Sequence, residues 1–113
     1  MMNENATDNT GLDWDKVGGM MPAVICDWKT NEVLMLGYMN KEAYAMTLRD
    51  KKATFFSRTR NKLWQNGETS GHFLIVHEIY TDCDNDTLLL KCEPIGPTCH
   101  TGSRTCFFKK ILP

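Results

Sequence analysis

Cys83 stands inside an acidic run, Asp82-Cys83-Asp84-Asn85-Asp86, and Cys99 and Cys106 follow it in the last quarter of the chain. Thiolates are soft ligands that suit zinc, whereas carboxylates are hard oxygen ligands that suit Mg²⁺, Mn²⁺ or Ca²⁺. Three of each are the ingredients of two different metal sites. Three neighbouring carboxylates also repel one another unless a cation neutralises them. The thiol spacing, C-x15-C-x6-C, lacks the C-x-x-C knuckle of closed structural zinc sites. Three thiolates would leave a fourth zinc position for water or a histidine, the arrangement of a catalytic zinc that activates water near neutral pH. The remaining thiols fit another role. Cys92 lies about 16 Å along a strand from Thr87, at about 3.3 Å per residue, and shares a face with Leu88 and Leu90. Cys92 and Cys26 read as small buried hydrophobes.

Spacing alone leaves alternatives open. Asp82, Asp84 and Asp86 occupy positions 1, 3 and 5 of a calcium-binding EF-hand loop, with Glu93 at position 12. Thr87 nevertheless stands where that loop needs Gly, and the flanks look like strands rather than helices. A solvated turn rich in Asp and Asn is a second alternative. Three cysteines with no common purpose are a third.

The elements that must position these residues are short. Residues 23–26 and 32–36 are apolar runs around a polar turn with Thr30-Asn31, which predicts a hairpin. Asn40 reads as an N-cap, with Glu42 in the first turn and Met39 and Tyr44 as a hydrophobic staple. A helix over 41–49 follows, with Ala43, Tyr44, Thr47 and Leu48 on one face. Residues 53–58 read as a strand, Asn61-Lys62 and Gly67 as loop, and 72–80 and 87–92 as two strands of an antiparallel hairpin whose tip carries the acidic run. Pro94, Gly96, Pro97 and Gly102 make 94–104 a loop, and 105–111 reads as a last strand. Cys99 is thus expected on a loop and Cys106 at a strand's start.

At 113 residues the chain is long enough to bury about two thirds of the surface its unfolded form exposes. Residues 1–10 are expected to form a disordered leader and 11–113 a single domain. The stretch 1–16 has no apolar h-region, no run of eighteen apolar residues occurs, and five cysteines is an odd count. These features predict a cytoplasmic protein with reduced thiols and no membrane partner. A net charge of −1 argues against a dedicated nucleic-acid binder. Arg49, Lys51, Lys52, Arg58, Arg60 and Lys62 still concentrate positive charge against one acid, Asp50, so an anion could dock there.

The strings LMLGYMN (34–40), FFSRTR (55–60), LWxxGETSGH (63–72), DCDND (82–86) and GPTCHTG followed by CF (96–107) resemble phosphoribosyl-AMP cyclohydrolase, in order and over residues 12–107. The resemblance implies hydrolytic opening of the adenine ring (N1–C6 bond) of N1-(5-phosphoribosyl)-AMP by a zinc-activated water. That reaction is the third step of histidine biosynthesis and gives the phosphoribosyl-formimino aminoimidazole carboxamide ribotide. It also implies a zinc ion held by Cys83, Cys99 and Cys106 and shared between subunits, and Mg²⁺ held by Asp82, Asp84 and Asp86. The implied fold is mainly β (α+β): an antiparallel-rich sheet folded into a pseudo-barrel with one short helix, in an intertwined homodimer.

Bottom-up chemistry agrees with that resemblance. Ribosylation at N1 makes C6 electron-poor, so an activated water is a suitable nucleophile and the tetrahedral centre needs proton transfer. His100, beside Cys99, is the first candidate for that transfer or for zinc ligation, and His72 the second. Each also has a structural alternative. Arg58 and Arg60, taken as same-side residues of an extended segment, could hold a 5′-phosphate bidentately or form a solvated basic face. Glu68, Thr69 and Ser70 offer a carboxylate, hydroxyls and N–H groups to ribose or a metal-bound phosphate. Trp64 either stacks on the purine or fills the core. Asn66 departs from the family, which usually carries Lys before the Gly of GETSG; Lys62 could compensate. Because the chain ends seven residues past Cys106, it is expected to be monofunctional. Two other classes stay open: a structural zinc module binding an anion through residues 49–62, and a Ca²⁺-binding hairpin.

Overall fold

A computed structural model describes residues 11–113. The leader expected over 1–10 lies outside the described residues. The elements are β1 (Met21–Asp27), β2 (Val33–Met39), α1 (Lys41–Asp50), β3 (Thr54–Ser57), β4 (Lys62–Gln65), β5 (Leu74–Thr81) and β6 (Leu88–Pro94). Mainly β structure with one short helix matches the expectation.

Strand β1 alternates, so that Met21, Ala23 and Ile25 are fully buried. It pairs antiparallel with β2 and parallel with β6, and β6 pairs antiparallel with β5, giving the order β2-β1-β6-β5. A parallel pair needs a crossover, and everything from β2 to β5 lies within that crossover. The strands β3 and β4 form a separate two-stranded sheet. Phe55, Leu34, Met39, Leu74, Leu88 and Leu90 are buried with β1 in one apolar cluster. Each such side chain removed from water stabilises the fold by about 1.5–3 kcal/mol.

Helix α1 starts where its sequence says it should. Asn40 Oδ1 accepts the Ala43 N–H at 2.8 Å, and Ala43, Tyr44 and Thr47 are buried. Lys51 closes the other end in the left-handed region (φ 58°), its N–H reaching Thr47 O. Thr47 then ties the helix to β3: its buried hydroxyl lies 2.9 Å from Ala43 O and accepts the Thr54 N–H at 3.0 Å.

Three expectations are corrected. The pseudo-barrel is not closed: the β2 edge takes the Cys106 N–H at Leu34 O, while the β5 edge bridges to Lys52, so the two edges meet other segments and not each other. Residues 105–111 form no strand. A ladder needs repeated bonds, and this segment donates one backbone bond, from Cys106, before leaving Phe107 and Phe108 exposed. Lys62–Gln65 is a strand where a loop was expected. Its partner decides it: Trp64 lies opposite Phe55 and Leu63 opposite Phe56, cross-strand pairs that outweigh the loop character of Asn61-Lys62.

Candidate active site and metal-ligand clusters

A cleft of about 740 Å³ opens between the β3–β4 hairpin and two loops, 66–73 and 97–102. That is within the range of small-molecule sites. Trp64 forms one wall, its other side against Phe55 with ring centroids 4.9 Å apart, so it serves both the core and the cleft. Arg60, Glu68, Thr69, Ser70, His72 and His100 also line it, as does Cys99. The structure therefore gathers most of the expected substrate and catalytic residues.

Arg58 is the exception. It does not line the cleft, and Arg58 and Arg60 lie in the β3–β4 turn instead of sharing one face of an extended segment. The chain reverses there because Ser57 Oγ accepts the Arg60 N–H at 3.3 Å and Asn61 adopts φ 51°.

Local bonding explains the shape of loop 66–73. Asn66 Nδ2 donates to His72 O, Glu68 Oε1 accepts the Gln65 N–H at 2.8 Å, and Ser70 Oγ accepts the His72 N–H at 3.1 Å. Gly67, at φ +93°, brings its α-carbon so close to the backbone of His72 that a β-carbon would sit 2.5 Å from the His72 carbonyl carbon. The His72 ring in turn lies against Gly96, where a β-carbon would sit 2.7 Å from its Cδ2. His72 is thus held by close packing as well as by hydrogen bonds.

On the other wall, Cys99 is buried and collects donors. The Thr101 hydroxyl lies 3.1 Å from its sulfur; this bond, with the N–H groups of Thr101 and His100 and the Cys106 thiol, holds the Cys99 pKa below the ordinary thiol range. Partial desolvation of its sulfur, and then the neighbouring Cys99, push the otherwise exposed Cys106 up to about 11. Cys99 and Cys106 shift each other's pKa, so the two thiols lie close enough to act on one another as a pair. Cys26 and Cys92 are buried in the sheet, as expected. Thr98, next to the pair, has a buried hydroxyl without a hydrogen-bond partner that lines the cleft. A buried polar group of this kind is costly unless a ligand satisfies it.

Cys83 lies elsewhere. It sits at the tip of the β5–β6 hairpin, next to the Thr81–Leu88 pair, whereas the cleft lies beyond the Leu74–Pro94 pair at the other end. Six residue steps along β6 separate the two ends, about 20 Å. The Asp84 carboxylate, which accepts from the Cys83 thiol at 3.4 Å, raises its pKa by hydrogen bond and by charge.

Asp82, Asp84 and Asp86 surround the same tip, with one oxygen from each within 4.8 Å of the others. The flanks are strands, so this is not an EF-hand. Lys16 reaches into the cluster, its ammonium 3.2 Å from Asp84 and 2.8 Å from Asp86, and its bonds hold both carboxyls below their ordinary range. Sequence reading missed Lys16 because nothing local links it to residues almost seventy positions away. It also missed Ser57, Gln65 and Thr98 in the cleft; the position of Thr98 beside Cys99 was the only available signal.

The family model for phosphoribosyl-AMP cyclohydrolase matches residues 35–108, which includes both thiols of the pair, the cleft loops and the acidic tip. The chain belongs to the phosphoribosyl-AMP cyclohydrolase family. A protein named phosphoribosyl-AMP cyclohydrolase from Clostridium beijerinckii is 51% identical over 100 residues, covering 88% of this chain and 92% of the relative. One of that name from Streptococcus mutans is 52% identical over the same shares. The histidine biosynthesis bifunctional protein HisIE of Haemophilus influenzae is 55% identical over 92% of this chain but only 47% of its own length. The chain thus spans about half the length of such bifunctional relatives. Among the described residues no helix is long and apolar enough to cross a membrane.

Proposed function

We propose that this chain is a phosphoribosyl-AMP cyclohydrolase that opens the adenine ring of N1-(5-phosphoribosyl)-AMP at the N1–C6 bond, the third step of histidine biosynthesis. The observation that carries this reading is Cys99, with its adjacent His100, at the wall of a nucleotide-sized cleft, in a chain of this family.

The donor set fits zinc: Cys99 favours its thiolate, Cys106 is close enough to interact with it, and both would hold the ion with the partner subunit's Cys83. When bound, zinc supplies Lewis-acid activation of a water at neutral pH. His100 accepts the proton of the attacking water and returns it to the departing N1, with His72 as the second candidate for this transfer. Arg60 and Lys62, on the cleft rim, bind a 5′-phosphate. Trp64 stacks on the base, and Glu68, Thr69 and Ser70 orient the ribose. The acidic tip fits Mg²⁺, because its three oxygens converge as an all-carboxylate face.

Two features support a homodimer. Cys83 stands at the tip of the β5–β6 hairpin, away from the cleft that Cys99 lines, so a three-thiol site calls for a Cys83 from a second copy. Leu36, Tyr38, Phe107 and Phe108 are exposed apolar side chains on β2 and the segment after Cys106, available to a second copy.

The test is turnover of phosphoribosyl-AMP with Mg²⁺, followed by the near-ultraviolet change of ring opening, with and without a zinc chelator. Chelator-sensitive turnover is expected. A folded, metal-loaded dimer with no turnover would sink the reading.

A further inference from the structure

Residues 98–106 form no helix or strand, yet they carry both thiols of the pair. Two thiols on an irregular loop keep their spacing only as well as the loop is anchored. The anchors converge on one side chain. Arg104 Nη2 donates to Asp27 Oδ2 at 2.8 Å, and its Nε donates to Glu32 Oε1 at 2.6 Å. Asp27 is buried, and its other oxygen accepts the Lys29 and Thr30 N–H groups, so one carboxylate locks the β1–β2 turn and grips the loop together. Burial pushes that carboxyl's pKa up, but the two N–H groups and Arg104 outweigh it and hold it below the ordinary range.

Backbone bonds on both sides of Arg104 pass this anchoring to the thiols. The Thr98 N–H donates to Arg104 O at 3.3 Å and the Cys99 N–H to Ser103 O at 3.1 Å. Thr105 Oγ1 donates to Val33 O at 2.7 Å, and the Cys106 N–H to Leu34 O at 2.8 Å. Arg104, Asp27 and Glu32 do not line the cleft, so their effect on the reaction runs through position.

We propose that Arg104 is a positioning residue for the Cys99–Cys106 pair: its guanidinium, spanning Asp27 and Glu32, clamps the two-thiol loop to the β1–β2 hairpin and sets the spacing at which both sulfurs meet one metal ion. The inference rests on the zinc reading above. A planar fork with donors on two edges reaches two carboxylates together, which a lysine ammonium on a flexible stem does poorly.

Outer residues that orient metal ligands typically change metal affinity by about 10- to 100-fold. Zinc-loaded wild type, Arg104→Gln, Arg104→Lys and Glu32→Gln are compared by zinc release to a chromophoric chelator, by the thiolate-to-metal absorption of the cobalt-substituted proteins, and by melting. Release about tenfold faster or more is expected for Arg104→Gln, with a changed cobalt spectrum. Smaller increases are expected for Arg104→Lys and Glu32→Gln, which leave the Asp27 contact a charged partner. If Arg104→Gln does not fold, Glu32→Gln carries the test, since it takes only the charge out of the exposed contact and leaves the Asp27 pair in place. Zinc release within about twofold of wild type in the folded variants, with unchanged cobalt spectra, would overturn the proposal.

If wild type takes up no zinc, the zinc reading fails by itself, and the clamp is read from disulfide closure. Glutathione disulfide reacts with one thiolate, releasing one glutathione; the second thiolate then displaces the other glutathione and closes Cys99 to Cys106. Closure mapped by mass spectrometry is expected to slow in Arg104→Gln. An unchanged rate overturns the clamp.

Discussion

Replacing Gly67 by Ala tests whether the cleft is built by close backbone packing. At φ +93° an L-residue is strained by about 1–2 kcal/mol. The new β-carbon would lie 2.5 Å from the His72 carbonyl carbon and 2.6 Å from the Phe73 nitrogen, where ordinary contact begins at 3.4 Å. Both obstacles are backbone atoms, so neither can swing aside as a flexible side chain would. Overpacking of this kind costs about 1–3 kcal/mol. The total is about 2–5 kcal/mol, or a melting-point drop of about 8–20 °C at roughly 4 °C per kcal/mol for a domain of this size. Gly71→Ala is the control. It sits in the same loop at φ +83° with nothing within 4 Å, so only the strain of about 1–2 kcal/mol applies. Calorimetric melting of the three proteins separates packing from strain. Relief by local opening of loop 66–73 would cap the melting loss but displace Glu68, Thr69, Ser70 and His72, and kcat/KM would fall about 100-fold for a displacement near 1 Å. Melting points of the two variants within about 3 °C of each other, with kcat/KM also equal, would refute the reasoning.

Thr47→Val strips the hydroxyl that accepts the buried Thr54 N–H, so a loss of about 1–3 kcal/mol is expected; chemical denaturation showing no change in midpoint would contradict the role assigned to Thr47. Lys16→Met removes the ammonium from the acidic tip, and Mn²⁺ measured by titration calorimetry should bind about three- to tenfold tighter, because the ion no longer competes with a cation 3.2 Å from Asp84 and 2.8 Å from Asp86. Unchanged or weaker affinity would show that Lys16 does not compete for those oxygens. On the proposed zinc site, binding would strip protons from Cys106, pushed up to about 11, and from Cys83, also raised. Both thiols are protonated at pH 7 and give their protons up as the ion binds, so affinity rises with pH. Calorimetry in buffers of different ionisation enthalpy should find about two to three protons released per zinc, and pH-independent affinity would rule this out.

Local rules made several elements readable. The Asn40 cap, the apolar face of α1, the acidic hairpin tip and the burial of Cys26 and Cys92 each depend on neighbours a few residues away. The β4 strand, the missing last strand and the turn position of Arg58 were not readable, because each depends on whether a distant segment offers a partner.

By itself the sequence determined which ligand types and motifs are present and in what order, since chemistry and short-range spacing are properties of the chain. Tertiary structure decided which of them meet. It brought Cys99 close to Cys106, sent Cys83 to the far end of the β5–β6 hairpin, brought Lys16 onto the acidic tip and placed Arg104 between Asp27 and Glu32. The two Arg104 contacts span 77 and 72 residues of chain, and contacts that long are set by sheet order and core packing, for which no local pattern carries a signal.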